Sequence, residues 1–74
     1  METEEVIRLI KETMPDAVVD VNDLRGDGTH FEARVESACF AGLPRLDQHR
    51  LVFDALQGRV GGIIQSLSLT TVAK

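Results

Sequence analysis

The chain has no tryptophan, no tyrosine and a single cysteine among its 74 residues. Without the two large amphipathic aromatics its core must be aliphatic, with Phe31, Phe40 and Phe53 as the only aromatic candidates. One cysteine, Cys39, excludes an internal disulfide and fits a reducing compartment. No apolar run approaches the ~20 residues that span a bilayer, and nothing resembles a secretory signal peptide. A soluble, cytoplasmic protein is expected, with no membrane association. Also missing are a Ser–His–Asp set, a paired-carboxylate cleft, a phosphate loop and a complete metal site. The expectation is therefore a protein that is not an enzyme.

What is present is the composition of an ordinary globular domain, 43% apolar and 27% charged. The length predicts one domain over residues 1–74, and a chain this short buries only about 60% of its unfolded surface. Charge is uneven: residues 1–36 carry a net −6 and residues 37–74 a net +2. An acidic chain is a poor general ligand for nucleic acid, whose non-specific affinity comes from phosphate neutralisation. The second half leaves room for a small basic patch.

Thr3 is a candidate N-cap, with Glu4 and Glu5 in the first turn where the helix dipole favours anions. Val6, Ile7, Leu9, Ile10 and Met14 recur at helical spacing, so a helix is expected over Thr3–Met14, closed by Pro15. The run from Ala17 to Leu24 predicts a strand with Val19 and Val21 on one face. Gly26-Asp27-Gly28 signals a turn. Phe31, Ala33, Val35 and Ser37 then alternate with charged residues, predicting a second strand paired antiparallel to the first. The same parity carries on to Cys39, which is expected to point inward as core packing. After the connector Ala41-Gly42-Leu43-Pro44, a helix is expected from Arg45 to Gln57, stopped at Gly58, with Leu51, Val52, Ala55 and Leu56 on one stripe. Arg59 to Gly62 is expected as a short turn or a single helical turn. A third strand is expected from Ile63 to Thr70, with Gln65, Leu67 and Leu69 on one face and frayed residues after it. Helices with a small mixed sheet predict a two-layer α/β (α+β) sandwich.

Three segments carry a family likeness: Gly26-Asp27-Gly28-Thr29-His30-Phe31, Asp47-Gln48-His49-Arg50-Leu51-Val52-Phe53-Asp54-Ala55-Leu56 and Ile64-Gln65-Ser66-Leu67-Ser68-Leu69-Thr70. In this order and spacing they resemble BolA-family proteins over essentially the whole chain after the first helix. The helix segment is the most specific of the three. The family pattern there is similar to R-H-R-x-V-Y/F-x-A-L, from which this chain departs at Gln48. The resemblance implies an α-β-β-α-α-β fold like that of class II KH domains, without their G-x-x-G clamp. It also implies partnership with a monothiol glutaredoxin, in which a 2Fe–2S cluster is shared with the glutaredoxin and glutathione and none is bound by this chain alone. Iron–sulfur centres accept imidazole in place of thiolate, so the chemistry is reasonable. Some members of the family act as transcription regulators, so a nucleic-acid-binding regulator is the alternative.

The resemblance makes His30 the candidate loop ligand; the plain alternative is a surface histidine opening a strand. Gln65 stands where the family carries its most consistent ligand histidine. A neutral, hard amide oxygen is a poor substitute for imidazole on a soft iron–sulfide centre. His49 is a family hallmark, expected mainly to fix its helix against the preceding loop. Arg45, Arg50 and Arg59, near the Gly61-Gly62 turn, are the candidates for a docking surface. Guanidinium groups suit glutathione carboxylates and phosphates alike.

Overall fold

Helix α1 (Thr3–Thr13) follows from the spacing of Val6, Leu9 and Ile10, which are buried in the computed structural model, where all 74 residues are described. Glu4 and Glu5 lie in its first turn and Lys11 in its last, and Arg8 pairs with Glu12 at 2.7 Å. Its cap position is Glu2 and not Thr3. Thr3 is the first helical residue, and its hydroxyl donates to the Glu4 carboxylate and accepts from no backbone N–H. Met14 ends the helix and is itself buried.

Strands β1 (Val18–Asp23) and β2 (His30–Ser37) pair antiparallel, with Val19 opposite Val35 and Val21 opposite Ala33. Phe31, Ala33, Val35 and Ser37 are buried in strict alternation, as expected for a sheet covered on one face. The alternation stops at Ser37. The Asp16 carboxylate accepts from Ser37 Oγ at 2.9 Å and from the Ala38 N–H at 2.8 Å, while Ser37 Oγ accepts from the Cys39 N–H. These bonds turn the chain into the short 3-10 helix Ala38–Phe40. Phe40 takes the inward place and Cys39 is exposed, so the expected core role of Cys39 is overturned.

Helix α2 (Arg45–Ala55) buries Val52 and Ala55 and is followed by buried Leu56, while Phe53 stays 37% exposed. It ends before Gln57 because Gln57 (φ 57°) and Gly58 (φ 78°) are both left-handed. The following segment forms no third helix. Gly62 and Ile64 N–H groups both donate to the Arg59 carbonyl, closing a turn. The two-layer class is therefore as expected, with two α-helices in place of the three that the family likeness implied.

Strand β3 (Ser66–Ala73) pairs parallel to β2, giving the order β1-β2-β3. It begins three residues later than Ile63 and runs beyond Thr70, because β2 offers ladder positions as far as Ser37 opposite Ala73. The expected fraying gives way to a Lys74 N–H bond to the Ser37 carbonyl. Parallel neighbours cannot be joined by a hairpin, and α2 is the crossover that joins them. Both helices lie on one face of the sheet; Asp20, Asn22, Glu32, Arg34, Ser68 and Thr70 line the other, open to solvent. Ile64, outside the strand, is fully buried against the shared core, whereas Ile63 is 61% exposed.

Ile64→Ala should cost about 2–5 kcal/mol, whereas Ile63→Ala should stay within about 0.5 kcal/mol of wild type. Urea-unfolding midpoints of the two variants decide it. Asp16 provides a second test. Its carboxyl is held below its ordinary value by the Ala38 N–H and then by the Ser37 hydroxyl. A depressed folded-state pKa stabilises the fold above the unfolded value and loses that stabilisation as pH falls through the folded one. Asp16→Asn should therefore lower Tm at neutral pH, with the gap to wild type closing as the pH is taken below 3.8.

Candidate functional site

Because β2 and β3 run parallel, the segments that lead into them meet at one end of the sheet. The Thr29 carbonyl accepts from both the Gln65 N–H (2.7 Å) and the Ser66 N–H (3.2 Å), locking the two segments together. Two aspartates shape the 24–29 loop. Asp23 accepts from the backbone N–H groups of Arg25, Gly26 and Gly28, and Asp27 accepts from the N–H of Thr29. Such side-chain-to-backbone bonds let aspartate replace regular structure in tight turns. Gly28 is required twice over, by its φ of 74° and because a Cβ there would run into the backbone of Met1.

His30 opens β2 opposite Ser66, one residue from Gln65. Its parity matches Glu32 and Arg34, on the helix-free face. Its Nδ1 lies 2.9 Å from Thr29 Oγ1, which in turn lies 2.6 Å from Asp27 Oδ1. Asp27 is held below its ordinary pKa, chiefly by the Thr29 hydroxyl. His30 is half-buried, and its Nε2 makes no hydrogen bond and is not fully buried. Gln65 is exposed and lies before the strand, not on a shared face with half-buried Leu67 and Leu69. The structure thus sets the backbones of His30 and Gln65 close together.

The remaining candidates are dispersed. His49 lines a shallow cleft with Arg45, Leu69, Thr70 and Thr71, and its ring meets Phe53 edge-on at 6.4 Å. From Ser66 to Thr70 the strand advances ~13 Å, which removes His49 from the His30 end. Arg45 and Arg59 flank α2, an 11-residue helix ~16 Å long, so the three arginines form no single cluster. Arg50 is exposed on the same helix. Arg59 Nη1 is engaged by the Leu56 carbonyl and Gln57 Oε1, beside the exposed Gly61–Gly62 turn. Nowhere do three His, Cys, Asp or Glu side chains converge as a metal site. A depression between the chain's N-terminus and the 24–29 loop is lined by Glu2, Glu4, Asp23 and Asp27 together with Met1, whose α-ammonium donates to the Gly28 carbonyl.

A profile of the BolA-like protein family matches residues 3–74. The chain belongs to the BolA-like family. A bolA homologue from Coxiella burnetii is 34% identical, with a TM-score of 0.79 over 99% of this chain and 91% of that one. An uncharacterized protein of Rickettsia prowazekii is 33% identical across 95% of this chain and 91% of its own length. The BolA domain of SufE1 from Arabidopsis thaliana shares the fold at 22% identity, with a TM-score of 0.81 over 99% of this chain and 94% of that one.

In this BolA-like chain the task expected of His49, fixing α2 against the preceding loop, falls to Gln48. Gln48 Nε2 donates to the carbonyls of Leu43 (2.8 Å) and Phe40 (3.3 Å), and its Oε1 accepts from Thr71 Oγ1 at 2.6 Å. The departure from the family pattern at this position was the available signal. The Asp27–Thr29–His30 chain was also missed, since it depends on side-chain directions inside a turn. With Cys39 exposed, one thiol equivalent should titrate in the native protein at a rate that unfolding in urea raises little. A strong urea acceleration would instead place the sulfur inside.

Proposed function

We propose that this BolA-like chain is an accessory protein for a monothiol glutaredoxin, acting in the cytoplasm in 2Fe–2S cluster trafficking or iron and redox regulation. The observation that carries this reading is His30, with a free imidazole nitrogen at the end of the sheet beside Gln65. A single imidazole supports the role of completing a cluster that is held on the thiolates of glutaredoxin and glutathione. His30 would be the chain's ligand, and imidazole in place of thiolate raises the potential of such a centre. Gln65 would border the cluster as a hydrogen-bonding amide and not as a ligand. The exposed Gly61–Gly62 turn lies against the same end and supports docking there. Arg45, His49 and Arg50 are available for wider contact with the partner.

Nucleic acid would have to use the α2–β3 cleft, where Arg45 and His49 are the only basic side chains lining it. So few phosphate contacts would give weak binding with a shallow salt dependence.

The test is to mix the chain with a glutathione-loaded, cluster-bearing monothiol glutaredoxin and follow visible absorption, circular dichroism and size-exclusion elution. A heterodimer with an altered cluster spectrum is expected. His30→Ala should abolish the alteration, and Gln65→His should strengthen the complex by about tenfold or more, the scale on which metal affinity responds to its surroundings. An unchanged spectrum, or one indifferent to His30→Ala, would refute ligation by this chain.

A further inference from the structure

The hydrogen-bond chain from Asp27 through Thr29 to His30 has a direction. At neutral pH an ionised carboxylate can only accept, so the 2.6 Å contact between Asp27 Oδ1 and Thr29 Oγ1 consumes the one hydroxyl hydrogen of Thr29. Thr29 Oγ1 then has only lone pairs left for the ring nitrogen 2.9 Å away. The hydrogen in that second bond must come from His30 Nδ1. A neutral imidazole carries one N–H, so Nε2 is left bare, and it is the nitrogen that no side chain or backbone group of the protein engages.

We infer that Asp27 and Thr29 are positioning residues, which hold His30 in the Nδ1–H tautomer and so present an unprotonated Nε2 to a metal centre brought by the partner. This deepens the ligand role proposed above and rests on it for its purpose, though not for its test. Free imidazole side chains in water favour the opposite form, with the hydrogen on Nε2, so the loop imposes a choice. Metal-binding histidines generally have their second nitrogen fixed by a carboxylate, carbonyl or water. Here a hydroxyl relays a carboxylate to the ring. The same loop fixes the ring's position as well, because the Thr29 N–H is bonded to Asp27 and the Thr29 carbonyl to Gln65 and Ser66.

The experiment is a two-bond proton–nitrogen correlation spectrum of the imidazole rings in the isolated protein at about pH 8, where an ordinary ring is neutral. The chain has two histidines, and a His49→Gln variant assigns them. Wild type should show Nδ1 protonated and Nε2 bare at His30. Thr29→Val, which removes the relay, and Asp27→Ala, which frees the hydroxyl hydrogen to point at Nδ1, should both move the proton to Nε2. Thr29→Ser should keep the wild-type pattern, and backbone amide spectra show that each variant is folded. In the glutaredoxin mixture, Thr29→Val should weaken the cluster-bearing complex by about 10–100-fold, with Thr29→Ser restoring it.

An Nε2–H ring in wild type, or a pattern indifferent to both Thr29→Val and Asp27→Ala, would overturn the inference. A shifted tautomer with full cluster affinity would overturn the positioning role. The wild-type pattern together with no cluster interaction at all would remove the ligand reading and leave the tautomer assignment supported.

Discussion

Parallel pairing of β2 with β3 is the constraint on which the site depends. A parallel ladder sets the N-terminal ends of both strands side by side, so the loop before one strand and the turn before the other become neighbours. Antiparallel pairing would have sent the Gly61–Gln65 segment to the opposite end of an eight-residue strand, some ~26 Å away. The same choice obliges the chain to cross over, and the crossover brings Val52, Ala55, Leu56 and Ile64 into the core. The two N–H groups donated to the Thr29 carbonyl are the local expression of this arrangement.

The fold separates its apolar core from its polar ties. Aliphatic side chains and two phenylalanines fill the space between the helices and the sheet, and that is all a chain of this length can bury. Where packing is thin, single polar side chains join distant segments. Asp16 holds the end of β2 through Ser37 and Ala38, and Gln48 joins the connector, α2 and β3. These bonds, part-buried at Ser37 and Gln48, fix which segments meet as well as adding stability. Asp23 and Asp27 do the same for the 24–29 loop, so that it holds a defined shape without a core of its own.

Periodicity in the sequence was a sound guide wherever burial sets the pattern. The stripe of α1 and the alternation of β2 follow directly from apolar spacing and the hairpin turn from Gly26-Asp27-Gly28, and the order of the elements follows from them. The family likeness singled out His30 and Gln65, and the pairing of β2 with β3 sets their backbones close together, which spacing alone does not reveal. What stayed hidden was decided by particular side-chain bonds. Ser37 and Asp16 break the parity that would have buried Cys39. Two successive left-handed residues, Gln57 and Gly58, cut α2 short, and glutamine gives no warning of such a conformation. Ile64 is buried by the turn that precedes the strand and not by the alternation within it, so a period-two reading put the boundary too early.

Gln65 contributes its backbone N–H to the structure and keeps its side chain free of every intramolecular bond. An exposed side chain outside the ladder can be exchanged at little cost to stability. The fold therefore places no demand on the identity of residue 65: histidine, glutamine or another polar group can stand there in the same molecule. A substitution there changes what the exposed end of the sheet presents to its surroundings while the architecture stays as it is.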